Sequence, residues 1–90
     1  MNEAPPNAED PVAATILRLA AARGPAKSIC PSEAARALAP EGEAWNRMMP
    51  RVRAAALGLA RAGAIEILRK GKPVPDLAVV KGVIRLRIKT

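Results

Sequence analysis

The side chains able to do chemistry in this chain are uneven in kind: one cysteine, eight carboxylates, fifteen lysines and arginines, and no histidine or tyrosine. Cys30 stands in KSICPSEAAR, residues 27 to 36, between Ile29 and Pro31 and ahead of Ser32 and Glu33. A thiol at a helix N-terminus is acidified by the peptide dipoles, which is the basis for a reactive thiolate or redox sensor. Here no second cysteine exists to resolve a sulfenic acid or close a disulfide. The apolar neighbours also point to burial, where a free cysteine acts as a small hydrophobe. Cys30 is therefore expected to start a helix rather than to react. Without histidine the commonest metal ligand and general base are missing, so neither a zinc site nor Ser-His or Cys-His catalysis is expected within one chain. No carboxylates pair at helical spacing either, and the expectation is a non-enzymatic protein with no cofactor and no metal.

The cations are the remaining chemistry, and their distribution is informative. Residues 1 to 45 hold four basic against six acidic side chains, a net charge of −2. Residues 46 to 90 hold eleven basic side chains against Glu66 and Asp76 alone, a net of +9. Basicity concentrated in one half suggests a surface that faces a polyanion, although a charge excess also serves simple solubility. Lys70-Gly71-Lys72 superficially resembles a phosphate-binding loop, but it lacks the full glycine spacing and no helix follows it.

The elements that must position these cations can be read from periodicity. Residues 1 to 9 carry acids and prolines without a basic side chain, and are expected to be a disordered lead-in to one domain spanning residues 10 to 90. No long apolar run is present, so neither a secretion signal nor a membrane span is expected, and a cytoplasmic location is the default. Asp10 and Pro11 suit a helix start, and Val12, Ile16, Leu19 and Ala20 recur at helical spacing until Gly24-Pro25 ends the helix near Arg23. A second, short helix begins at Pro31, with Cys30 at the cap and Glu33 three residues on, where its carboxylate can reach back to a free amide. Ala39-Pro40 and Gly42 should end it.

Trp45 and Met48 open a third helical segment that Pro50 kinks or restarts. From Pro50 to Ala62, Val52, Ala55, Ala56 and Leu59 share one face, with Trp45 and Met48 roughly in phase as core residues. The opposite side carries Arg47, Arg51, Ala54, Gly58 and Arg61, long cations alternating with residues that have almost no side chain. Gly63 stops the helix and the period becomes two. Ile65 and Ile67 oppose Glu66, then Ile84, Leu86 and Ile88 oppose Arg85, Arg87 and Lys89, as in two strands of a hairpin. The 69 to 82 loop between them is basic, through Arg69, Lys70 and Lys72, and has room for a turn of helix around residues 76 to 79.

Three helices followed by a β-hairpin make an α+β, mainly α, winged helix-turn-helix the most economical fold. The run from Ala22-Arg23-Gly24 through Ile29-Cys30-Pro31-Ser32-Glu33, Ala35-Arg36-Ala37-Leu38, Trp45, Met49-Pro50, Val52-Arg53, Gly63 and Ile65 to Lys70-Gly71 and Gly82-Val83-Ile84-Arg85-Leu86 resembles a family of short bacterial winged-helix proteins of unknown function. The likeness covers roughly residues 12 to 88. Val83 departs from it, since members often place proline after the wing glycine. The resemblance implies the fold and supplies no activity.

On that fold the third helix enters the major groove of a duplex and the wing touches the backbone or the adjacent minor groove. The candidate nucleic-acid-binding residues are Arg47, Arg51, Arg53 and Arg61 on the helix, Arg69, Lys70 and Lys72 on the wing, and Arg85 and Arg87 along the sheet. A single aromatic residue disfavours base stacking on single strands, so double-stranded DNA is the expected partner. The alternative is a protein-interaction module without nucleic acid, using Leu57 and Val79-Val80 as contact points and open to homodimer formation.

Overall fold

A computed structural model describes residues 10 to 39 and 44 to 89. The expectations for residues 1 to 9, and for Pro40 and Gly42, lie outside the described residues. Helix α1 spans Pro11–Arg23 and α2 spans Pro31–Leu38. A 3-10 turn, η1, covers Trp45–Met48 and runs directly into α3, Met49–Arg61. Three strands follow, β1 Ile65–Arg69, β2 Lys72–Pro73 and β3 Arg85–Ile88, with a second 3-10 turn, η2, at Leu77–Val79. The fold is α+β and mainly helical, three helices followed by a three-stranded antiparallel sheet, an arrangement of the winged-helix kind.

The helix starts follow from local chemistry. The Asp10 carboxylate accepts the Val12 amide at 2.9 Å, and Pro11 fills a first-turn position whose N–H would have no partner. At α2 the Glu33 carboxylate accepts the Cys30 amide at 2.7 Å, the reciprocal half of a capping box. The third helical segment restarts at Pro50, the second of the two outcomes expected there. Trp45 and Met48 belong to the 3-10 turn, and α3 begins at Met49 with Pro50 in its first turn. Proline there removes no helical hydrogen bond, so the segment tightens before it and does not kink after it.

One core unites the elements. Val12, Ile16 and Ala20 of α1, Ala34 and Ala35 of α2, and Val52, Ala56 and Leu59 of α3 pack with Ile65, Ile67, Ile84 and Leu86. Trp45 is half-buried against this cluster, and the Arg36 guanidinium lies 4.6 Å from its ring centroid, so the indole joins α2 to η1.

The sheet is richer than a plain hairpin. Its order is β2-β1-β3, with Ile65 opposite Ile88 and Glu66 opposite Arg87 in one ladder, and Arg69 opposite Lys72 in the other. Ile29, in the α1–α2 connection, forms a further antiparallel bridge with Leu86, both amide–carbonyl bonds measuring 2.8 Å. That bridge ties the helical half to the outer side of β3. Residues 69 to 82 therefore comprise a tight hairpin turn, a short edge strand, a 3-10 turn capped by Asp76 and a return to β3.

Candidate nucleic-acid interface

The exposed side of α3 exists because its other side is committed. Val52, Ala55, Ala56 and Leu59 are buried, which turns Pro50, Arg51, Ala54 and Arg61 to solvent. Arg51 and Ala54 line a shallow hollow with Asp10, so the carboxylate that caps α1 borders the cationic face. Arg61 sits in the last turn, where the helix dipole favours a cation, and Arg47 is exposed on η1. Ala54 is exposed and Gly58 half-buried, so few side-chain atoms stand between the arginines.

Arg53 is placed differently. It is half-buried on the flank of α3, and its Nη1 donates to the Gly82 carbonyl at 3.3 Å. From the sheet side, the Arg69 guanidinium also packs over Gly82: a Cβ added there would stand 3.5 Å from its Nη2. Gly82 has φ +75, a backbone conformation that suits glycine. Two arginines from different elements thus converge on one backbone unit and join helix to wing.

Next to this junction, Lys70 and Gly71 form the two-residue β1–β2 turn. Their φ values of 54 and 81 match the sign pattern of a type I′ turn, which follows the strand twist. Lysine is an uncommon residue at positive φ and costs roughly 1 kcal/mol there. The turn projects Lys70 between Arg69 and Lys72. A hollow of about 420 Å3 lies alongside, lined by Arg69, Lys70, Gly71, Val83 and Arg85, three cations without a carboxylate.

Arg85 and Arg87 have internal partners that the sequence pattern did not reveal. Arg85 is exposed, but its Nε donates to the Ser28 hydroxyl at 3.0 Å and its Nη2 to the Ser28 carbonyl at 2.8 Å. It therefore ties β3 to the α1–α2 connection while its edge still faces the hollow. Arg87 does not simply face out. It lies opposite Glu66, donates to Oε1 from Nε at 3.2 Å and Nη2 at 2.7 Å, and keeps only 28% side-chain exposure. Its charge is neutralised within the sheet.

Around Cys30 the geometry is that of a helix start. The half-buried thiol accepts a hydrogen bond from the Ser32 hydroxyl at 3.0 Å. The Glu33 carboxyl is held below the ordinary carboxylate range chiefly by the Cys30 amide; burial opposes this, and Arg23, whose Nη2 donates to it at 2.7 Å, lowers it further.

A family model described as protein of unknown function, DUF3253, matches residues 9–89. The chain belongs to the DUF3253 family. No curated protein matches it. In this DUF3253 chain, sequence reasoning overlooked Lys81, which faces the far side of the wing, and Ser28, which holds Arg85. Lys81 was detectable as one more cation in the run before β3, whereas Ser28 carries no sequence signal because its partner lies 57 residues away.

Proposed function

We propose that this chain is a small non-enzymatic DNA-binding module of the winged helix-turn-helix kind, a regulator or accessory factor that grips a duplex through α3 and the wing. The observation that carries this reading is the meeting of Arg53 and Arg69 at Gly82, which makes the cations of helix and wing neighbours on one surface. On α3 there are three arginines and no carboxylate, and the adjoining hollow adds Lys70 and Arg85.

The physical division of labour follows from reach. Arg51 and Arg61 lie on the exposed side of α3, flanking Ala54 and Gly58, where a helix can approach base edges, and a bidentate arginine–guanine contact is worth about 1–3 kcal/mol of discrimination. Arg47, Arg53, Arg69, Lys70 and Lys72 supply phosphate contacts that fix register. Arg85 positions the wing, and Arg87, paired with Glu66, contributes little. A mobility-shift titration with random duplexes tests the reading. Arg51→Gln and Arg61→Gln should each weaken binding, and a chain that binds no duplex at low salt would refute it. Recovery of a defined protein partner without nucleic acid would instead favour the protein-interaction alternative.

A further inference from the structure

The wing has a second hollow, on the other side of the ridge made by Arg69 and Lys70. Its volume is about 620 Å3, within the range of small-molecule sites. Its lining has an apolar part, called the floor below, from Pro73, Val74, Pro75 and Val79, and a cationic part, called the rim below, from Arg69, Lys70, Lys72 and Lys81. Asp76 also lines it, but one of its carboxylate oxygens accepts the Ala78 amide at 2.9 Å and caps η2.

Two features distinguish this hollow from a merely solvated charged loop. First, its floor is preorganised. Pro73 pairs with Leu68 in the sheet, the Val74 amide donates to the Ile67 carbonyl at 2.9 Å, and the prolines have fixed φ, so little ordering remains to be done on binding. Second, Val79 is 54% exposed beside four cations, an apolar contact left open where hydration of charge dominates. A simple inorganic anion would use the rim and leave the floor wet.

We propose that this hollow binds a small amphipathic organic anion, with an aryl or branched alkyl body on the Val74–Val79 floor and a phosphate or carboxylate held by the rim. Arg69, Lys70 and Lys72 belong both to this rim and to the surface assigned above to the duplex, so occupancy would release DNA; that consequence alone rests on the duplex-binding reading.

The test is a heteronuclear NMR titration of the full chain, without DNA, using phenyl phosphate, with inorganic phosphate and benzyl alcohol as comparisons. Phenyl phosphate is expected to shift amides of residues 69 to 81 saturably, to bind at least about tenfold more tightly than inorganic phosphate, the effect of burying roughly two methylene equivalents, and to bind more tightly than benzyl alcohol, which lacks the charge that the cations hold. Val79→Asp should abolish that preference. Val79 is exposed, so the variant is expected to keep the fold, which unchanged amide positions in α1 and α2 would verify. Equal affinity for inorganic phosphate, shifts spread over other elements, or an undiminished preference in Val79→Asp overturns the proposal. Displacement of duplex by phenyl phosphate is measured separately: a chain that binds phenyl phosphate but no duplex loses the functional reading and keeps this one, and the converse result sinks this one alone.

Discussion

Glu33→Ala removes the side chain that closes the start of α2, and its cost can be worked from the contacts. The carboxylate accepts the Cys30 amide at 2.7 Å and the Arg23 guanidinium at 2.7 Å, while Arg23 also donates to the Ser28 carbonyl at 3.1 Å. The lost cap is worth about 1 kcal/mol. The ion pair adds only about 0.2–0.5 kcal/mol, because its side chains are 40% and 35% exposed and water screens them. A total near 1–1.5 kcal/mol lowers Tm by roughly 4–12 °C in a domain of this size. The sign of the pH dependence follows from the lowered pKa. A carboxyl depressed on folding contributes stability that is fully present above its ordinary value of 4.5 and is lost as pH falls through the folded value. The gap between wild type and Glu33→Ala should therefore be widest near neutrality and close on acidification. Glu33→Gln, whose amide oxygen can still accept from Cys30, should lose less at neutral pH. Thermal unfolding followed by circular dichroism, from about pH 7 down to about pH 3, measures this. A gap that persists unchanged at low pH, or no loss of Tm at neutrality, would refute the reasoning.

Other substitutions separate packing from binding. Leu59→Ala, at a fully buried site where α3 meets the sheet, should cost about 2–5 kcal/mol in chemical denaturation, a large share of the stability of a small domain. Gly82→Ala forces a side chain into positive φ, and a loss of about 1 kcal/mol is expected in unfolding assays. Arg53→Gln should weaken duplex binding severalfold. Arg87→Gln should leave it unchanged while lowering Tm, since Glu66 loses its partner.

Where cause and effect were local, the sequence was legible. Asp10 and Pro11, the Cys30-to-Glu33 spacing, the buried stripe of α3 and the alternation after Gly63 each act within a few residues, and each element lies where these signals put it. The two residues of β2 are both exposed and too few to alternate, so nothing in their pattern marks a strand. Ile29 reads as a lone apolar residue in a connection, and only the tertiary fold pairs it with Leu86. The same limit applies to the site. That α3 would expose Arg51 and Arg61 follows from helical phase. That Arg87 would be absorbed by Glu66 depends on the β1–β3 register across the whole intervening wing, and the convergence of Arg53 and Arg69 depends on a glycine whose part shows only in three dimensions.

The central claim is that helix and wing form one surface for a duplex, and its most direct measurement is the salt dependence of duplex affinity. Each phosphate neutralised contributes a slope of about −0.9 in log K against log salt. With the five cations assigned above to phosphates, Arg47, Arg53, Arg69, Lys70 and Lys72, each meeting one, the slope should lie near about −4.5, and Arg53→Gln or Arg69→Gln should each reduce its magnitude by about one unit. A slope near zero, or one that neither substitution changes, would contradict the account.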